Sequence, residues 1–305
     1  MPRKHDVRFG WLSVSIFDNC TTLDAEIEVS RYMRAIHHGL LVAILVVFAI
    51  ALTCCGHSSS SPAGPPALLV TGGLDKSGAL ASAELYVPTL GSFVKTGPMH
   101  TARVMHTAST LFNGEVIVAG GSNVPFGGPA LASAELYEPT TRRFSLTGSL
   151  NTARMGHTAT VLQDGRILIA GGTDGTNALN SAEIYDPANG TFMSTGAMNI
   201  GREYHTATLL EDGRVLIAGG FTTLPNGDTP TENTAELYDP ATRMFTLTGN
   251  MTIARDGHVA VLLTNGNVLI AGGGDNDGNV LATTEIYDPT AGQFVTGSID
   301  DDLAR

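Results

Sequence analysis

The chain has 305 residues, a formal net charge of −12, 15% charged residues and 36 glycines. Low charge density with so much glycine points to an all-β globular body of short strands and tight turns. An acidic body disfavours nucleic acid as a partner, because neutralising phosphates takes a basic face.

Residues 1–55 hold five basic and five acidic side chains, so the net charge sits in the remainder. All three cysteines, Cys20, Cys54 and Cys55, also fall there. The rest of the chain therefore has no disulfide, no cysteine nucleophile and no thiolate metal site. Residues 1–32 read as an over-extended start, since Met33 would open a compact signal. Leu40 to Leu52 is a run of thirteen residues without a polar side chain, preceded by Arg31 and Arg34. A basic flank, an apolar core and small residues after it make residues 33–55 a secretory signal. At 1.5 Å per residue the run covers about 20 Å, short of the roughly 30 Å hydrocarbon core. An uncleaved anchor stays open as the alternative if the run is counted on to Cys55.

Leu52-Thr53-Cys54-Cys55 resembles a bacterial lipobox, with Cys55 as the lipidated residue. A cysteine at the position before it departs from the usual small residue. Residues 56–66, rich in Ser, Pro and Gly, read as a tether between anchor and body. Both readings put the body outside the cytoplasm, held at the membrane on the periplasmic or cell-surface side.

From residue 67 one unit is repeated five times. A short apolar run ends in Gly-Gly, at Gly72, Gly120, Gly171, Gly219 and Gly272 with the glycine after each. These pairs lie 48, 51, 48 and 53 residues apart. A Tyr follows each pair (Tyr86, Tyr137, Tyr185, Tyr238, Tyr287), with Pro two residues on and Phe seven residues on. Arg-x-x-His occurs four times, from Arg103, Arg154, Arg202 and Arg255. Within one unit, 157–162 alternates polar and apolar residues, Asp164-Gly165 makes a hairpin turn, and 166–170 is apolar enough for burial on both faces. Strands at 181–185 and around Phe192 complete four antiparallel strands. A fixed period of strand-like segments means stacked β units that cannot bury their faces alone.

The order Gly-Gly, Tyr, aromatic resembles the kelch motif over residues 67–305. Phe stands where kelch repeats place Trp, and the one Trp, Trp11, precedes the apolar run. The resemblance implies an all-β, kelch-like β-propeller with five repeat units: four four-stranded blades plus an incomplete first blade that starts at its second strand. The C-terminus offers Ala304-Arg305 but no following His-Thr-Ala strand. A five-bladed ring, an open fragment and a truncated larger propeller are the readings this leaves.

Loops between second and third strands vary most, at 11, 14, 11, 16 and 12 residues from Gly-Gly to the repeated Glu, and variable loops on a rigid scaffold carry binding. By resemblance to kelch adaptors, Arg103, Arg154, Arg202 and Arg255 line a pocket on that face for an acidic ligand. The competing reading makes them intra-blade braces for Glu135, Glu183, Glu236 and Glu285, with Glu84 the fifth repeated Glu, and is favoured. His106, His157, His205 and His258 are spread by the repeat symmetry, which argues against convergence on one metal. Asp275-Asn276-Asp277-Gly278-Asn279 lacks the spacing of a calcium loop and reads as a polar turn. No metal, cofactor or catalytic residue is expected. The copper site of galactose oxidase, another kelch propeller, needs a Cys that the repeats lack. The favoured function is a binding or scaffold module for a protein or carbohydrate ligand, with a sugar-processing enzyme of the exported mutarotase kind as the alternative.

Overall fold

The computed structural model of the chain describes residues 13–17, 67–124 and 128–297. Five four-stranded antiparallel sheets follow one another, as the repeats require. In the third, Thr158–Val161, Ile167–Ala170, Ala182–Asp186 and Thr191–Ser194 lie in that spatial order. The Asp164-Gly165 turn forms the first hairpin with Gly165 at φ 83°. Register pairs Tyr185 with Phe192, which sets their rings 4.8 Å apart and tilted. The same Tyr–Phe pair recurs in every sheet.

In the second, third and fourth sheets the second strand is buried on both faces because each is sandwiched between neighbouring sheets. Leu168 and Ala170 pack against Val215, Ile217, Tyr238 and Phe245 of the fourth sheet. Ile167 and Ile169 pack against Leu111, Ile117 and Ala119 of the second. Each such fully buried aliphatic side chain contributes about 1.5–3 kcal/mol. Four clusters of this kind join successive sheets from first to fifth, and among the described residues none joins fifth to first. Phe93 in the first sheet is accordingly 45% exposed, against 8% for its equivalent Phe144.

The first sheet differs from the sequence reading. Its inner position is filled: Ser13–Phe17 pairs antiparallel with Ala67–Thr71, from Ser13 opposite Thr71 to Phe17 opposite Ala67. An unpaired strand edge offers a row of free N–H and C=O groups that another extended segment can satisfy. Ser13–Phe17 does so without the Arg-x-x-His signature, and the repeat alignment misses it for that reason. Residues 33–55 with Cys55, the tether and residues 298–305 lie outside the described residues.

Candidate binding site at the inner rim

The ends of Arg-x-x-His have structural work. Arg154 Nη2 donates to Glu183 Oε1 at 2.9 Å, and Nη1 donates to the carbonyls of Gly171 and Ser181. Glu183 also accepts from the backbone N–H groups of Asn151 and Thr152. Arg103–Glu135, Arg202–Glu236 and Arg255–Glu285 repeat this arrangement at 2.9, 3.0 and 2.9 Å. All four arginines are 0% exposed. A ligand donor must face solvent, and none of the four does; the geometry is that of the brace. Burial pulls the Arg103, Arg154 and Arg202 guanidiniums below their ordinary range, opposed by the partner carboxylates.

Each His joins two sheets. His157 Nε2 lies 3.0 Å from Thr107 Oγ1 of the preceding sheet, and His205–Thr158 and His258–Thr206 follow at 2.9 Å. His106 meets Thr71 in the same way at 2.9 Å. Burial, with the nearby arginines, pushes His106 and His258 down to about 3, so the rings are neutral.

The two residues between Arg and His are not repeated: Val104-Met105, Met155-Gly156, Glu203-Tyr204 and Asp256-Gly257. They form the inner rim, at the end of the inner strands that the variable loops overhang. The first of each pair bridges to the residue after Gly-Gly, as Glu203 does to Phe221, and Phe221 bridges on to Thr231 in the longest loop. The second of each pair links sheet to sheet around the rim: Gly156 N–H donates to Met105 O, Tyr204 N–H to Gly156 O, and Gly257 N–H to Tyr204 O. That position is left-handed in every case, at φ 56°, 63°, 55° and 55°. Glycine fits it freely, whereas Met105 and Tyr204 hold it under strain, which commonly marks a functional position.

Tyr204 lies over Gly156 and donates its hydroxyl to Met105 Sδ at 3.2 Å. Its ring also meets Phe221, centroids 5.2 Å apart. Glu203 is 7% exposed, and its carboxylate makes no hydrogen bond to any other described residue. Burial, then the charges of Asp174 and Asp256, pushes it up to about 8. Burial likewise raises Asp256, against a hydrogen bond from Gly274 N–H. The Tyr204 hydroxyl is raised by burial and by Glu203 and Asp256, and stays protonated. The rim thus offers an aromatic pair, a hydroxyl, a protonated carboxyl and a carboxylate. It is acidic, the reverse of the arginine-lined pocket that the resemblance to kelch adaptors implies.

Sequence reasoning passed over these residues by following what recurs. The signal was present as its opposite: two positions that vary inside an otherwise fixed four-residue motif.

The family described as KLHDC2/KLHL20/DRC7 Kelch-repeats domain matches residues 100–301. A stretch of 80 residues is 34% identical to tRNA wybutosine-synthesizing protein 4 of Saccharomyces cerevisiae (strain ATCC 204508 / S288c), over 26% of this chain and 11% of that protein. The chain therefore spans a small part of that relative's length. The solved structure of YjhT is similar with a TM-score of 0.64 and 15% identity, over 76% of this chain and 81% of that one. At that identity the likeness shows the fold.

Proposed function

This chain belongs to the kelch-repeat family of the KLHDC2/KLHL20/DRC7 type, and from that premise we propose that it is a binding propeller whose ligand, a carbohydrate, seats on the inner rim. The observation that carries this is Glu203: a residue 93% buried by the rim, whose carboxyl makes no hydrogen bond to any other described residue, beside the Tyr204–Phe221 pair. Aromatic faces stack on sugar rings, and a carboxyl with a carboxylate both accepts from and donates to hydroxyls. An acidic rim repels anions, which favours a neutral, hydroxyl-rich ligand over an acidic one. Glycan and peptide arrays probed with the wild type and Glu203→Gln test it. Sugar capture that weakens at least tenfold in the variant is expected; capture of peptides alone, or equal capture by both proteins, contradicts it.

One observation favours a second reading, a sugar-processing enzyme. Burial and the charges of Asp174 and Asp256 push Glu203 up to about 8, so it holds its proton near neutrality and suits a general acid. Accelerated interconversion of sugar anomers, followed by NMR and lost in Glu203→Gln, would support it.

Export and a lipid anchor on Cys55 complete the proposal, supported by the apolar run, the lipobox-like Leu52-Thr53-Cys54-Cys55 and the polar tether. Processing there would remove Ser13–Phe17 and leave Ala67–Thr71 with a free inner edge. Palmitate labelling in a bacterial host, lost in Cys55→Ala, and an intact mass starting at Cys55 are expected. Unlabelled, full-length protein in the cytoplasm would rule this part out.

A further inference from the structure

Charge is divided unequally between the two ends of the strands. The loops at 173–181, 221–234 and 274–283, which overhang the rim, hold Asp174, Asp228, Glu232, Asp275 and Asp277 and no Lys or Arg. At the opposite end, Arg166 and Arg214 answer Asp164 and Asp212 at 2.6 Å. The rim differs: among the described residues no cation acts on Asp174, Glu203 or Asp256, which come from the third, fourth and fifth sheets. The charges that reach Glu203 are those of the other two, both negative. Among the described residues no three His, Cys, Asp or Glu side chains converge on a point that could hold a metal ion. Carboxyls within reach of one another, but too spread for a metal, suit an organic cation that hydrogen-bonds to more than one of them.

The rim also shows where a ligand ring fits. In the third sheet a Cβ on Gly156 would come 3.5 Å from the Tyr204 ring and 3.6 Å from Glu203 Oε2. Tyr204 therefore covers Gly156, and the Glu203 carboxyl reaches onto the rim beside that ring. Gly257 holds the equivalent place in the fifth sheet, with the same left-handed backbone, and is exposed. A Cβ there would meet nothing within 4 Å among the described residues. Gly257 N–H donates to Tyr204 O, so this open step adjoins Tyr204 on one side and follows Asp256 in the chain. Close by is Glu203, more than nine-tenths buried and without a hydrogen bond to any other described residue.

We propose that the ligand is an amino sugar, seated with its ring over Gly257 and its ammonium facing Asp256 and Glu203. The inference rests on the carbohydrate reading above and takes its charge argument further: a rim that turns anions away draws a sugar with a free amine. The sugar ring takes over Gly257 the place that the Tyr204 ring takes over Gly156. Its ammonium supplies the counter-charge to the carboxyls and donates more hydrogen bonds than a hydroxyl does. The Tyr204 and Phe221 rings add to this, since aromatic faces attract cations. A cation beside Glu203 also favours its ionised form, against the burial and negative charges that oppose it.

The test is calorimetric titration of the full chain with cellotetraose, the N-acetylglucosamine and glucosamine tetramers of the same linkage, and trilysine. The sugars differ at one carbon of each ring, which carries hydroxyl, acetamide or ammonium. The glucosamine tetramer should bind at least about tenfold more tightly than either neutral sugar, and Asp256→Asn should cut that preference to within about threefold. Salt at about 0.5 M should cut it too in the wild type, because screening weakens charge attraction. Gly257→Asn, which suits the left-handed backbone, should lose capture while melting near the wild-type temperature. Equal or tighter capture of cellotetraose would overturn the inference and leave the carbohydrate reading standing. Capture of trilysine with none of the sugars would overturn both and point to a basic peptide. A preference that survives both salt and Asp256→Asn, or unchanged capture by Gly257→Asn, would also overturn the inference.

Discussion

The hydroxyl of Tyr204 reaches the sulfur of Met105 at 3.2 Å, from two sheets away around the ring. The contact crosses above Gly156, whose missing side chain leaves room for the ring. Both partners hold the left-handed backbone that Gly156 and Gly257 adopt at equivalent places. Replacing Tyr204 by Gly removes strain of roughly 1 kcal/mol while losing the Phe221 contact, worth about as much, and the burial of the ring, worth about 1.5–3 kcal/mol when complete. Tyr204→Gly should therefore cost no more than about 3 kcal/mol in denaturant titration, leaving the fold intact, while ligand capture falls at least tenfold. A variant that keeps its capture would remove Tyr204 from the site.

Two arginines of the third sheet separate brace from ornament. Arg154 and Glu183 are 0% and 2% exposed at the side chain; Arg166 and Asp164, paired at 2.6 Å, are 27% and 47% exposed. Arg154→Ala leaves a buried carboxylate uncompensated and should cost about 3–5 kcal/mol. Arg166→Ala should cost under about 1 kcal/mol. Urea unfolding of the pair decides it, and similar midpoints would refute the brace.

Gly171 and Gly272 test the packing between sheets with backbone strain held constant, since their φ values are 63° and 71°. A Cβ on Gly171 would come within 2.5 Å of Arg202 O and 2.7 Å of the His205 ring, whereas the first atom it would meet on Gly272 among the described residues is 3.7 Å away. Gly171→Ala should lower the melting temperature clearly more than Gly272→Ala. Equal losses would mean that backbone strain alone selects these glycines.

Stability should peak near neutrality, for opposite reasons on its two sides. The four buried histidines have folded values well below 6.5, near 3 for His106 and His258. Below 6.5 the unfolded chain binds protons that the folded one refuses, so stability falls with acid. Glu203 has its folded value raised to about 8, so it disfavours folding increasingly as pH rises from its unfolded value near 4.5 to 8. Between pH 6.5 and 8 this slope amounts to about 1–2 kcal/mol. Melting curves should show Glu203→Gln flattening the decline over that interval, steepening the rise between pH 4.5 and 6.5 and leaving the slope below pH 4.5 unchanged; a parallel shift at all pH values would contradict the assignment.

The five units, the hairpin at Asp164-Gly165 and the Arg–Glu pairing were legible because each recurs in register, and packing between like sheets demands recurrence. Ser13–Phe17 was not, since a strand that fills an open edge needs backbone groups and not a motif. Glu203, Tyr204 and Asp256 escaped for the complementary reason. Their places are fixed by flanking Arg202, His205, Arg255 and His258, while the residues themselves are free to differ from repeat to repeat. Repeat symmetry spoke against the buried histidines as ligands of one metal, but their actual partners, such as Thr158 for His205, lie in the neighbouring sheet and leave no mark in the sequence.

The central claim is that repeated residues build the scaffold and the unrepeated rim residues bind. Hydrogen exchange with and without an array-selected sugar tests it most directly, because it maps the footprint on the whole chain. Protection should concentrate in residues 203–205, 221–231 and 255–257. Protection confined to the opposite face, at the turns 163–166 and 211–214, with none on the rim, would contradict the account.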